Sequence, residues 1–330
     1  KDYFYFSSSI ETLKKHFYEY AKEVTSRFLE PKNAAVLEFG CNDGVLLKPL
    51  ANNNIKTVIG VDPAENVIST IKDERIITIC DYFTENVAQE VVKNYGKIDL
   101  IMANNAFAHI NDIQGTTKAI KKTLKTNGVF IFEVHYLGHV IDNLQYDMVY
   151  HEHIYYYSIL SAVNHFKKYN MIIFDIKPIK IHGGSYRFYV CNNNGINASR
   201  ISKEVKALIK SEEEKGYNLL NTYLKFSDNI NKIKEELMSL VRSLKSKGKS
   251  IVGYGASGRA NTIIQFCGLT KDHIDYMIDD SPKKLGYFTP GSHFEIKSNS
   301  MLYGDNPPDY VIVFAWTFFD EIESKNKQYL

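Results

Sequence analysis

Apolar positions along the chain fall into two kinds of run. From residue 10 to about 29, Leu13, Phe17, Tyr20, Val24 and Phe28 recur every three or four residues, which predicts an amphipathic helix with Ser9 as its N-cap. Short continuous apolar runs follow, each closing on polar or glycine-rich residues. Residues 35–39 run into Gly40-Cys-Asn-Asp-Gly44, 57–61 into Asp62, 76–80 into Asp81-Tyr82-Phe83, and 97–102 into Asn104-Asn105. A helix over about 114–124 precedes a further run at 128–134. Unalternating runs of this length, separated by helical spacers, predict buried parallel strands in an α/β unit.

Beyond residue 170 the pattern changes twice. Residues 172–176 and 179–190 read as strand, the second stretch bent at Gly183-Gly184. Residues 197–247 are charged and helical, broken near Gly216. Leu219, Tyr223, Phe226, Ile230, Ile233, Leu237, Leu240 and Leu244 form one stripe, expected of helices that bridge domains. A second α/β unit starts at residue 250 with a strand, a helix and a strand near 274–280, and a further strand follows at 308–316. The expected division is therefore 1–30 lead-in and helix, 31–195 first domain, 196–248 helical linker, and 249–330 second, smaller domain.

A length of 330 residues accommodates two cores. Forty Lys and Arg against 38 Asp and Glu leave a net charge of +2, which argues against nucleic acid as a partner. With no apolar run of membrane-spanning length and no secretory leader pattern, a soluble cytoplasmic protein is expected. The four cysteines, Cys41, Cys80, Cys191 and Cys267, are too scattered for a disulfide framework or a metal site.

Glycines at 40 and 44 let the chain turn tightly at a strand's carboxyl end, where open α/β sheets bind ligands. Asp62, ending the next strand, is placed for ribose hydroxyls. The spacing is Glu38-x-Gly-x-x-x-Gly and not GxGxxG. Glu38 and Asp43 would repel a pyrophosphate but suit the sulfonium and α-ammonium of S-adenosylmethionine. Asp81, Tyr82 and Phe83 suit an adenine edge and face. With Gly40, Asn42, Gly44, Asn104 and His109 they complete the expected cofactor set. The order of elements looks like the class I methyltransferase core, a Rossmann-like α/β domain.

Gly253-Tyr-Gly255-Ala-Ser-Gly258 is a true GxGxxG after a strand, with an acid about twenty residues on. Alone it prompts an oxidoreductase reading. Beside a methyl-donor site, Lys283 and Lys284 in glycine-rich turns suit the diphosphate of a substrate with a nucleotide handle. Gly183-Gly184 next to His182 and Arg187 allow close approach of a substrate, and a plain strand bulge explains them equally.

Tyr150-His151-Glu152-His153 packs two imidazoles, a carboxylate and a phenol into four residues. Imidazole titrates nearest neutral pH, as general acid–base work requires. The two His stand two apart, unlike a helical His-Glu-x-x-His metal motif. A hydrogen-bonded domain junction is the competing reading.

The chain resembles the nucleotide-sugar 3-C-methyltransferases. The resemblance rests on Tyr5-Phe-Ser-Ser, Leu37-Glu-Phe-Gly-Cys-Asn-Asp-Gly44, Asn104-Asn-Ala-Phe-Ala-His109, Glu133-Val-His-Tyr-Leu137, Tyr150-His-Glu-His153, His182-Gly-Gly-Ser-Tyr-Arg187, Gly253-Tyr-Gly-Ala-Ser257 and Asp279-Asp-Ser-Pro-Lys-Lys-Leu-Gly286. It implies methylation of carbon 3 of a 4-keto-6-deoxysugar linked to a nucleoside diphosphate. Tyr150, Glu152 and His153 would line the sugar site, with His153 the base and Tyr3 or Tyr5 reaching in from the N-terminal side. His182, Gly183, Arg187, Tyr254, Ser257, Arg259, Asp280 and Lys284 would hold the substrate. Typical members open with a four-cysteine zinc module. It is not in this sequence, and either it was lost or it lies upstream of Lys1.

Carbon is a poor nucleophile until an adjacent carbonyl lets it become an enolate. His153 would remove the C3 proton while Tyr150 polarises the 4-oxygen. Glu152 would orient an imidazole or bind a ring substituent. The competing functions are methylation of an oxygen or nitrogen on a surface-polysaccharide precursor, and an oxidoreductase or donor-dead binding protein built on Gly253–Gly258. The sequence leaves the oligomeric state open.

Overall fold

A computed structural model describes residue 3, residues 6–181 and residues 183–329. Tyr5 and His182 lie outside the described residues. The chain forms two compact units, one of residues 1–137 and 154–218, the other of residues 138–153 and 219–330.

The first unit is built on seven strands: β1 (Ala35–Phe39), β2 (Thr57–Val61), β3 (Ile76–Ile79), β4 (Ile98–Asn104), β5 (Leu124–His135), β6 (Met171–Ile179) and β7 (Ser185–Asn192). Their order is β3-β2-β1-β4-β5-β7-β6. The first five pair in parallel, while β7 runs antiparallel to both β5 and β6. All five residues of β1 are buried. Ala35, Leu37 and Phe39 enter one core cluster and Val36 the other, so both faces of the sheet are covered.

Three expectations are corrected here. The stretch 179–190 is not one bent strand: β6 ends at Ile179 and β7 starts at Ser185, and Gly183-Gly184 lie in the turn between them. The N-terminal helix, Glu11–Phe28, is capped by Ile10 without a side-chain bond, because the Ser9 hydroxyl turns back to the Phe6 carbonyl at 2.7 Å. The helical linker divides between the units. Helix Lys203–Lys215 belongs to the first, where fully buried Glu212 accepts the Tyr136 hydroxyl and the Ile159 N–H, both at 2.7 Å, and the Leu160 N–H at 3.0 Å. That carboxylate caps the start of helix Ile159–Lys167, where the helix dipole favours negative charge.

The second unit contains the 27-residue helix Leu220–Ser246 and a four-stranded parallel sheet. Its strands are β8 (Ile251–Tyr254), β9 (Met277–Ile278), β10 (Ile296–Lys297) and β11 (Tyr310–Val313), in the order β10-β9-β8-β11. Helix Gly258–Cys267 follows β8. Among the described residues no helix is long and apolar enough to cross a membrane.

Candidate active site

The carboxyl ends of β1 to β4 bring most of the expected donor residues to one edge of the first unit's sheet. Gly40 has φ +66°, and a Cβ there would stand 2.4 Å from the Ala106 Cβ, so only glycine lets the turns after β1 and β4 touch. Gly44 closes the same turn with its N–H on the Cys41 carbonyl at 3.0 Å. The Asn42 N–H donates to Asp62 Oδ2 and the Ala64 N–H to Asp62 Oδ1, both at 2.9 Å. Asp62 is thus fixed from both sides while each oxygen retains acceptor capacity.

At the end of β3, Asp81 and Tyr82 are exposed, and the Asp81 carboxylate accepts the Tyr82 N–H at 2.7 Å. Phe83 is a correction to the expected adenine platform. Its ring is buried and stacks on Phe39 at 4.9 Å, because an apolar ring beside β1 completes the core. Of the pair, Tyr82 alone presents an exposed ring. His109 ends the short turn Phe107–His109 and is exposed.

Glu38 and Asn104 form the buried floor of this edge. Asn104 Nδ2 donates to Glu38 Oε1 at 2.8 Å, whereas Glu38 Oε2 and Asn104 Oδ1 are buried without a hydrogen-bond partner. Burial pushes the Glu38 carboxyl up to about 8, against the Asn104 hydrogen bond and with the Asp62, Glu133 and Asp43 charges adding to the rise. Two inward acceptors without donors fit a ligand that brings positive charge and N–H groups. S-Adenosylmethionine meets that requirement through its sulfonium and α-ammonium; a pyrophosphate does not.

Arg187, expected to meet substrate, is instead committed inside the first unit. The β5–β7 register sets it opposite Glu133. Its Nε donates to Glu133 Oε1 at 2.6 Å, its Nη1 to Glu23 Oε2 at 3.1 Å, and its guanidinium stands 3.3 Å from the Tyr20 ring centre. His16 Nε2 lies 2.9 Å from Glu133 Oε2. Burial alone would raise the Glu133 carboxyl, but Arg187 and His16 outweigh it and hold it below the usual carboxylate value. Sequence reasoning passed over His16, Tyr20 and Glu23 as one group. His16 and Glu23 stand four and three residues from Tyr20 of the apolar stripe, and that spacing was the available signal.

The lead-in lies over the same edge. The Ser7 N–H donates to Asn42 Oδ1 at 2.9 Å and the Ser8 N–H to Asp43 Oδ2 at 3.1 Å. The Tyr3 backbone pairs through both N–H and carbonyl with the Asn66 amide.

Tyr150, Glu152 and His153 belong to the second unit, not to the first as the expected boundaries placed them. The cause is Asp147, which accepts Arg259 Nε at 2.8 Å and the Trp316 indole N–H at 2.9 Å. The Tyr146 ring meets that of Phe266 at 5.0 Å. Within the segment, His153 Nδ1 lies 3.3 Å from the Met148 carbonyl and its Nε2 lies 3.4 Å from the Tyr150 hydroxyl. A carbonyl has no proton to give, so that bond puts the imidazole proton on Nδ1 and makes Nε2 the basic nitrogen. Glu152 is exposed. The Tyr150 ring lies beside the start of helix Gly258–Cys267, since a Cβ on Gly258 would stand 3.9 Å from it.

The remaining expected substrate residues are largely engaged within the second unit. Buried Tyr254 donates to Asp280 at 2.6 Å, and Ser257 accepts the Ala260 N–H at 3.2 Å as a helix cap. Lys284 reaches the Ala256 carbonyl and Asp279, both at 2.9 Å, while the Arg259 guanidinium stands 4.9 Å from the Trp316 ring. Asp279, which a dinucleotide site would turn toward a ribose, accepts the Ala256 and Ser281 N–H groups at 2.9 Å. These bonds tie the turn after β8 to the end of β9. Gly183, with φ +83°, lies in the β6–β7 turn. Among the described residues, no group of three or more His, Cys, Asp or Glu is arranged to hold a metal ion.

Residues 13–173 match the family model described as a methyltransferase domain, and residues 180–330 match the C-methyltransferase C-terminal domain. The chain is 30% identical over 295 residues to the C-methyltransferase NovU of Streptomyces niveus, a match covering 89% of this chain and 69% of that protein. It is 29% identical over 98 residues to the ubiquinone biosynthesis O-methyltransferase of Pelagibacter ubique (strain HTCC1062), covering 30% of this chain and 40% of that one. Among solved structures it resembles the magnesium protoporphyrin IX methyltransferase of Synechocystis PCC 6803 with bound SAH, at 12% identity and a TM-score of 0.43, over 54% of this chain and 83% of that one.

Proposed function

The chain belongs to the C-methyltransferase family and takes its methyl group from S-adenosylmethionine; from that premise we propose that it methylates carbon 3 of a keto-deoxysugar carried on a nucleoside diphosphate, in the cytoplasm. The observation that carries this reading is the pair around His153: Nδ1 on the Met148 carbonyl and Nε2 beside the Tyr150 hydroxyl. A C-methylation through an enolate needs a base to remove the carbon-bound proton, a role that a neutral imidazole with a basic nitrogen can fill. It also needs an O–H donor for the oxygen on which charge develops. His153 and Tyr150 supply both from four residues of chain. Bound donor supplies an electrophilic methyl group, and the floor of Glu38 and Asn104 complements its charge.

In this reading His153 Nε2 takes the C3 proton, and Tyr150 donates to the 4-oxygen as the enolate forms. Glu152 orients an imidazole or meets a ring substituent. The test is deuterium wash-in at C3 when nucleotide-linked 4-keto-6-deoxysugars are incubated with enzyme in D2O. Exchange that His153→Ala abolishes supports the enolate. Methylated product that still carries its original C3 hydrogen, the outcome of O- or N-methylation, overturns it.

A further inference from the structure

Around Glu38 the first unit gathers four buried carboxylates: Glu38 on β1, Asp43 in the turn after it, Asp62 beyond β2, and Glu133 on β5. In three of them donors reach both oxygens. Asp43 accepts the Ser8 N–H, Asp62 accepts the Asn42 and Ala64 N–H groups, and Glu133 holds Arg187 and His16. Glu38 differs. It has one bond, from Asn104, and its second oxygen is buried with nothing to accept. Tyr20 from the N-terminal helix and Cys41 from the turn also feel its charge, and both are neutral groups that burial pushes upward. Arg187, the guanidinium paired with Glu133 in this network, is already shared by Glu133 and Glu23.

A carboxylate with an unsatisfied buried oxygen among three other carboxylates is stable only if a proton or a cation joins it. A proton on Oε2 turns one of the two orphan acceptors into a donor. A cationic ligand satisfies the pair without that proton. We propose that Glu38 reads the charge of the cofactor: it holds a proton in the empty cradle, releases it to solvent when the sulfonium donor binds, and takes one back once transfer leaves the uncharged thioether. The step is an O–H bond broken on binding and re-formed with a solvent proton after transfer. Glu38 thereby favours donor over product, and more strongly at higher pH. The inference rests on S-adenosylmethionine being the donor, and it deepens the role of one cofactor-facing residue.

The experiment is calorimetric titration of the full chain at pH 7 with S-adenosylmethionine and with S-adenosylhomocysteine, in phosphate and in Tris, whose ionisation enthalpies differ. Glu38→Gln is run beside the wild type, so that protons exchanged by the ligand itself cancel. With the carboxyl at about 8, the wild type releases up to about nine tenths of a proton more per donor than the variant. Donor affinity rises toward tenfold per pH unit from pH 6 to about 8 and then levels. The slope for S-adenosylhomocysteine is shallower. Equal proton release by wild type and Glu38→Gln, or equal slopes for the two ligands, overturns the proposal. If circular dichroism shows Glu38→Gln unfolded, Asn104→Ala replaces it: losing the amide that holds the carboxyl down moves the inflection to higher pH, and an unmoved inflection overturns the proposal. Donor binding without proton linkage defeats this inference alone, whereas no donor binding at any pH defeats the reading beneath it.

Discussion

Glu133 and Arg187 face each other across β5 and β7, with Arg187 Nε 2.6 Å from Glu133 Oε1 and both side chains almost wholly withdrawn from water. A buried pair of this kind adds little over a well-packed apolar pair, yet breaking it strands a charge. Arg187→Met is therefore expected to cost about 3–5 kcal/mol, read as a lower urea midpoint, and Arg187→Met with Glu133→Gln recovers part of the loss. Because Arg187 and His16 hold Glu133 below its ordinary 4.5 despite burial, its contribution is present above that value and fades as pH falls. The gap between wild type and Arg187→Met should close in acid; a gap constant down to pH 3 would contradict this.

Glu38 has the opposite sign. Its folded-state carboxyl is raised by burial to about 8 from 4.5, so the folded chain keeps a proton that the unfolded chain gives up across that window. Stability contributed by this group is complete below 4.5 and declines as pH rises to about 8. Glu38→Gln removes the penalty. At pH 8 the variant without ligand should outlast wild type in urea by on the order of a few kcal/mol, and at pH 5 the two midpoints should converge. The gain comes with weaker donor binding, a trade often met where a site stores unsatisfied charge. Equal midpoints at pH 8 would show that Glu38 is not strained in the empty protein.

The sequence reading and the structure agree most closely where structure follows from short-range pattern. The runs 35–39 and 57–61 are β1 and β2 to the residue, because strands buried on both faces read as unbroken apolar stretches. The break near Gly216 separates two helices, and that residue takes the left-handed conformation. What escaped depends on partners far along the chain. Nothing within 138–153 reveals that Asp147 meets Arg259 112 residues on and Trp316 169 residues on, so the Tyr150–His153 cluster was assigned to the wrong unit. His16 sits 117 residues from Glu133. Arg187 looked available beside two glycines because only strand register shows which side chain faces it. Phe83 looked like a ligand platform because its neighbours are polar, while the ring that occupies it, Phe39, lies two strands earlier.

Asp147 is the joint on which the Tyr150–His153 segment hangs. It is buried, and it binds the Arg259 guanidinium and the Trp316 indole at once. Asp147→Asn keeps the shape but removes the charge facing Arg259. Loss of a buried charged partner costs about 1–3 kcal/mol, and a loosened segment misplaces His153 and Tyr150. We expect turnover to fall at least tenfold while calorimetric donor affinity stays within twofold, because the donor residues lie in the other unit. Donor affinity falling in step with turnover would mean that Asp147 supports the protein globally and not this segment.

His153 and Tyr150 separate by chemistry. If Nε2 is the base, His153→Ala removes proton abstraction itself, worth about 10²–10⁴-fold in positioned acid–base catalysis, and both C3 exchange and methyl transfer disappear together. Tyr150→Phe removes one donor to the developing oxyanion and lowers both rates by about 10²–10³-fold, leaving exchange slow but measurable. Since Nδ1 donates to the Met148 carbonyl, His153→Gln preserves a hydrogen-bonding side chain there without a basic nitrogen. It should fold like wild type and be as inactive as His153→Ala. Donor binding must survive in all three variants. A His153→Gln enzyme that still exchanges deuterium at C3 would assign the base to another residue and leave His153 as an anchor of its segment.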